Sequence, residues 1–245
     1  MHTRSRLVTV GLVTFIFGLL IFFPARVAYR WFTPAAISVA GISGSIWNGQ
    51  ARQARASGIY MRDLSWRFRP SSLLTGKLGY AIEASPESGF IDARVALGAT
   101  GTIILTDVKA SLSLQALQQT IAVPGLRGKV NVEFERLQLD DGLPVAADGV
   151  VEIAELVAPA VHRSSIGGYR AEFFTQESGV MASVEDTDGL VDLAGSLQIS
   201  ADRSYQFIAQ LAPKNNTPDS VRQQMRFLGS ANERGQHELR LEGQL

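Results

Sequence analysis

The chain has no cysteine. That absence removes disulfide bracing, thiolate metal sites, thiol nucleophiles and anchoring through a lipidated cysteine. The fold must rest on apolar packing alone. Acid is also missing from the start of the chain. No Asp or Glu precedes Asp63, whereas Arg4, Arg6, Arg26, Arg30, Arg52, Arg55 and Arg62 do. From Asp63 onward the balance reverses to 16 basic against 23 acidic residues, a net charge of −7. Such a region lacks the basic footprint of a nucleic-acid binder. Histidine is scarce: His2, His162 and His237 are scattered, and none sits at ligand spacing from another metal-binding side chain. No phosphate-binding loop or dinucleotide fingerprint occurs. The stretch Gly41-Ile-Ser-Gly-Ser45 lacks the flanking helix and the histidine that a nucleophile elbow needs. The densest acidic group is Glu185-Asp-Thr-Asp188 with Asp192. It lacks the spacing of a calcium loop, and reads as a solvated turn in which Asp186 or Asp188 caps backbone donors. The sequence therefore predicts no catalytic, cofactor or metal residues, and the chain reads as a non-enzyme.

One long apolar run is present. Residues 7–23 hold no charge, no amide side chain and no proline. Extended slightly by Pro24 and Ala25, the run sits at the short end of the roughly 17–25 residues of a bilayer-crossing helix. Leu7, Phe15 and Phe23 mark its length. Arg4 and Arg6 precede it, and Arg26, Tyr29, Arg30 and Trp31 follow in the manner of an interfacial anchor. The run exceeds the roughly 7–15 apolar residues of a cleaved signal. A cut after Ala28 would also place Arg26 three positions back. A retained span over 7–25 is the reading, with a short cytoplasmic tail at 1–6, a linker at 26–40 and an exported β-rich part at 41–245. No second run of comparable length follows.

The exported part alternates with period two, the mark of half-buried strands. Leu64, Trp66 and Phe68 face one way, and Ser65, Arg67 and Arg69 the other. Val130, Val132 and Phe134 keep one parity, then Leu137 and Leu139 take the opposite one, which predicts a bulge near Arg136. A hairpin is predicted where Val191, Leu193, Leu197 and Ile199 meet Tyr205, Phe207, Ala209 and Leu211 across Asp202-Arg203-Ser204. Residues 219–228 read as a helix with Val221, Met225 and Leu228 on one stripe, and 115–120 as a short helix. Roughly ten strands at intervals of about 10–15 residues indicate an all-β fold: one antiparallel, curved β-sheet domain with one or two short helices behind a single transmembrane helix. Trp47 and Trp66 are assigned to its core. An apolar inner face of this kind is also suited to an acyl chain.

Three groups of residues resemble a known family. Phe23-Pro-Ala-Arg-Val-Ala28 closes the apolar run. Gly44-Ser-Ile-Trp-Asn-Gly49 precedes Leu64-Ser-Trp-Arg-Phe-Arg-Pro70 and Leu73-Leu-Thr-Gly76. Asp188-Gly-Leu-Val-Asp-Leu-Ala-Gly195 leads to Tyr205, Leu211-Ala-Pro213 and Leu228-Gly229. In order and spacing this set resembles the type II secretion system protein N family, over nearly the whole chain. The resemblance implies a single-pass inner-membrane protein with a periplasmic domain, which assists export of folded proteins through contacts with other subunits of that system, the inner-membrane platform or the secretin. It carries over no catalytic residues. An AsmA-like lipid-handling or outer-membrane biogenesis module is the alternative, because exported β-rich proteins of that class share the short Trp motifs.

Overall fold

Alternation with period two becomes a single sheet in the computed structural model, which describes residues 11, 15, 18, 19, 22–32, 37–56, 58–117 and 124–245. Among these, thirteen strands run as one antiparallel meander, each paired with its neighbours in sequence. They are β1 (Ile37–Gly44), β2 (Asn48–Ala56), β3 (Ile59–Arg69), β4 (Leu78–Pro86), β5 (Gly89–Leu97), β6 (Ile103–Ser113) and β7 (Arg127–Asp140). The rest are β8 (Leu143–Val157), β9 (Tyr169–Gln176), β10 (Gly179–Asp186), β11 (Val191–Ser200), β12 (Ser204–Pro213) and β13 (His237–Gln244). Helix α1 (Ala25–Phe32) precedes the sheet, and α2 (Asp219–Met225) sits between β12 and β13. The strand count exceeds the roughly ten expected from the sequence, which named no strand at Gly89–Leu97 or Gly179–Asp186. Where the sequence predicts a short helix at 115–120, a 3₁₀ turn covers Leu114–Leu117, and 118–120 lie outside the described residues. β1 starts at Ile37, four residues before the Gly41 at which the sequence reading begins the β-rich part. The bulge predicted near Arg136 is present as a register shift between Phe134 and Arg136 in the β7–β8 pairing.

Registers join the strands' alternation into two faces. One row crosses from β3 to β8 through Phe68, Tyr80, Val95, Leu105, Leu137 and Ala147. The adjacent row runs through Arg67, Ala81, Arg94, Thr106, Arg136 and Asp148 on the opposite face. The apolar face continues through Phe173, Ala182, Leu197, Phe207 and Leu241.

The sheet curls towards this apolar face. Phe134 on β7, Ala147 on β8 and Val180 on β10 form one buried cluster, with Val108 of β6 and Ile199 of β11 against it. At the rim, Arg203 in the β11–β12 turn bonds Asp141 in the β7–β8 turn at 2.6 Å. Those turns would stand roughly 19 Å apart in a flat sheet with strands about 4.8 Å apart. Both partners are largely exposed, so the pair reports the curl more than it stabilises it. Packing stays thin. Ten of the twenty buried apolar residues among those described are alanines, and Val180 is the one large side chain below 2% exposure. Among the described residues, α1 and α2 add a second layer towards the two ends of the sheet, and the Leu114–Leu117 turn touches β3, β6 and β7 between them. Val221 and Met225 of α2 bury themselves against Val191 and Leu211.

No helix among the described residues is long and apolar enough to cross a membrane. Of the span expected at 7–25, only residues 11, 15, 18, 19 and 22–25 are described.

Candidate functional site

The most elaborated corner of the molecule is where the chain enters the sheet. Pro24 makes a β-bridge with Ser45, and Ile46 N–H donates to the Phe23 carbonyl at 3.0 Å. Helix α1 then folds back onto the apolar face of β1–β3. Its apolar residues Ala25 and Tyr29 are four apart, hence on one face. They pack against Ile42, Ala51, Leu64 and Trp66. Two of its polar groups take backbone atoms of β1, which among the described residues has no strand on its outer side. Arg26 Nε donates to the Ile42 carbonyl at 2.6 Å, and the Tyr29 hydroxyl accepts from Val39 N–H at 2.9 Å. An open edge strand is a template for unwanted pairing, and α1 occupies part of this one.

The β1–β2 turn explains the Gly-x-x-Trp-x-Gly motif physically. Gly44 adopts a positive φ of 89°, and a Cβ there would collide with the Asn48 carbonyl. A Cβ at Gly49 would overlap Trp66 Cζ2 and lie 2.8 Å from the Ser43 carbonyl. The indole of Trp66 thus lies over bare backbone, and its Nε1 donates to the Ser45 carbonyl at 3.2 Å. Ser45 Oγ in turn accepts from Trp47 N–H at 3.3 Å and Asn48 N–H at 3.2 Å. Trp47 stacks edge-on with Phe68 at 4.7 Å between centroids, and Phe68 with Tyr80 at 5.6 Å, both within the range of favourable aromatic pairs. Between α1 and β1–β4 a cleft of about 400 Å³ remains, lined by Ala28, Tyr29, Ile46, Trp66, Tyr80 and Ile82. Burial there pushes the Tyr80 phenol pKa upward.

The residues marked from sequence fall as follows. Leu7 is outside the described residues. Phe15 is helical and 65% exposed. Phe23 packs against Trp31 at 6.0 Å. Trp47 lies in the β1–β2 turn and Trp66 in β3, both half-buried. The structure therefore brings Phe23, Trp47 and Trp66 to one corner. Sequence reasoning missed α1 as a packing element and the part of Arg26 and Tyr29 in holding β1. The signal was there in Ala25, Ala28 and Tyr29, spaced three and four apart, but it is short and adjoins the longer apolar run.

Elsewhere the polar groups serve turns. Asp188 accepts from Gly168 N–H. Asp186 accepts from Leu193 N–H at 2.8 Å and pairs with Lys214. Burial pushes the Asp186 carboxyl up, yet hydrogen bonds from Lys214 and the Leu193 amide, with the Lys214 charge, hold it below the usual value. His162 Nδ1 meets Ser220 Oγ at 3.2 Å, joining the β8–β9 loop to α2. His237 Nδ1 lies 2.9 Å from the Gly229 carbonyl, to which it donates as the Nδ1–H tautomer. Among the described residues no three metal-binding side chains gather.

Comparison with known proteins gives one consistent result. Residues 35–240 match the family model described as "Type II secretion system (T2SS), protein N". A type II secretion system protein N of Vibrio cholerae serotype O1 is 25% identical over 231 residues, covering 91% of each chain. The proteins of that name from Aeromonas hydrophila and Pectobacterium carotovorum are 23% and 22% identical, with both chains covered in full. No solved structure matches.

Proposed function

The chain belongs to the type II secretion system protein N family, and from that premise we propose that it is a non-enzymatic subunit of this protein secretion system. Its place is the inner membrane, held by a single span at 7–25, with the β-rich part in the periplasm. It assists export of folded proteins across the outer membrane by contact with other subunits, the inner-membrane platform or the secretin. The observation that carries the reading is the family match across residues 35–240, nearly all of the sheet. The uncharged run at 7–23 supports the anchor. The test is to delete the gene and measure a folded substrate in cytoplasm, periplasm and medium. The reading predicts that substrate accumulates in the periplasm and falls in the medium while transport across the inner membrane continues. Unchanged distribution across several substrates would overturn it.

A second reading, lipid handling, is favoured by one feature: the apolar inner face and its cleft beside Tyr29, Trp66 and Tyr80. It predicts phospholipid co-purifying with the chain and altered outer-membrane permeability on deletion, with secretion intact.

A further inference from the structure

The connection between β3 and β4 exposes apolar side chains that nothing in the fold requires. It is a 3₁₀ turn over Pro70–Thr75, with Pro70 at its start and Gly76 ending it in the left-handed region. The turn is braced from within. Ser72 Oγ donates to the Arg69 carbonyl, Thr75 Oγ1 to the Ser72 carbonyl at 2.8 Å, and Gly76 N–H to the Leu73 carbonyl at 3.0 Å. This frame holds out Leu74 at 90% exposure and Leu73 at 53%. Leu74 is the most exposed large apolar residue among those described. Leu78 and Leu97, which pair across β4 and β5 at the same end, are 46% and 43% exposed.

Position and charge say what this tip meets. In a meander, the β1–β2 and β3–β4 connections lie at one end of the sheet. That is the end at which Pro24 bridges Ser45 and Phe23 bonds Ile46. Phe68, two residues before the turn, bonds backbone to backbone with Trp47 at 2.6 Å. Two strand spacings put the tip roughly 10 Å from the incoming chain. From Leu64 through Ile82 there is no acid, but there are Arg67, Arg69 and Lys77. None of these three makes an ion pair among the described residues. The next turn at the other end, between β4 and β5, presents Glu87 and Ser88 instead. Leucines at a tip with cations behind them match the boundary of an anionic bilayer, where apolar groups enter beneath the phosphates.

We propose that the β3–β4 turn is a second membrane contact, in which Leu73 and Leu74 enter the headgroup–acyl boundary and Arg67, Arg69 and Lys77 face anionic lipid phosphates. The proposal rests on the anchored reading above for bringing the bilayer to this end of the sheet. The contact would fix the tilt of the sheet against the membrane, which a single tether leaves open.

The absence of cysteine makes the test direct. Full-length Leu74→Cys, Glu87→Cys and Phe15→Cys chains each carry one environment-sensitive fluorophore. They are reconstituted in phosphatidylcholine vesicles with and without phosphatidylglycerol. With the anionic lipid, the label at 74 should be quenched by headgroup-level nitroxide lipids and be about fivefold less open to iodide than the label at 87. Adding Arg69→Gln and Lys77→Gln should abolish the dependence on phosphatidylglycerol. If 74 is as open to iodide as 87 in both vesicles while 15 is shielded, the turn proposal is overturned and the anchor stands. If 15 is open while 74 is lipid-quenched, the anchor reading falls and the turn contact stands. Both open defeats both. Shielding at 74 from iodide without nitroxide quenching means a protein contact, a second copy or a partner subunit, and overturns the proposal as well.

Discussion

Trp66 and Gly49 act as one unit. The indole covers the glycine, bonds the Ser45 carbonyl and joins the cluster beneath α1. Because Trp66 stays half-buried, Trp66→Ala should destabilise the fold by about 2–4 kcal/mol, at or below the range for a fully enclosed ring. Ser65→Ala, on the opposite face beside Glu83, should be nearly silent. Denaturant midpoints of the two variants check this, and equal midpoints would refute the assigned faces. Gly49→Ala should cost about 1–3 kcal/mol by overpacking. Asp186 sets an acid limit. Its folded pKa lies below the usual 3.8. Its contribution to stability is therefore complete above that value and is lost as pH falls through the lowered one. The Asp186→Asn chain should lose about 1–3 kcal/mol near neutrality and show a shallower loss of stability on acidification, measured by denaturant midpoints from about pH 6 to about pH 2.

At the level of elements, the short helices matter more than their length suggests. α1 supplies the Tyr29 hydroxyl that accepts from Val39 on the edge of β1. Tyr29→Phe should leave the ring packed yet speed amide exchange at Val39 by roughly tenfold, the equivalent of about 1.4 kcal/mol. Unchanged exchange would mean that the edge is protected otherwise. Strands were legible where one face is apolar and the other polar, as in β3, β11 and β12, because a strand open to solvent on one side must alternate. The helix at 219–228 was legible from its stripe and its stop. α1 was not, because the helical spacing of Ala25, Ala28 and Tyr29 is short and merges with the longer apolar run before it. Nor was the pairing of Asp141 with Arg203, since nothing in either turn encodes how far a sheet will curl. The motif glycines were visible as letters. Their cause, an indole and a carbonyl at closest approach, is a tertiary fact. The Leu73 and Leu74 tip was visible in the sequence only as the motif Leu73-Leu-Thr-Gly76, since exposure is not written in an isolated pair of leucines.

Taken whole, the molecule is a quasi-linear array. Strands contact mainly their sequence neighbours, with β8 and β10 the main pair of strands to meet across another. Such arrays unfold piecewise, since stability is close to a sum of neighbour terms. Hydrogen exchange on Trp66→Ala should therefore open β1–β4 while β10–β13 keep their wild-type protection; uniform loss would contradict the picture. The same form gives a long surface with one face apolar and the other bearing charged side chains such as Arg67, Arg94, Arg136 and Asp148. The central claim is that the sheet performs the function and the span only holds it in place. The most direct measurement is the ratio of a folded substrate in medium to that in periplasm, in a deletion strain carrying residues 23–245, which keep the Phe23 and Pro24 contacts with the β1–β2 turn, behind a foreign single span. The account predicts that this chimera restores the ratio to its wild-type value. A chimera that is folded and membrane-bound yet leaves substrate in the periplasm would contradict it.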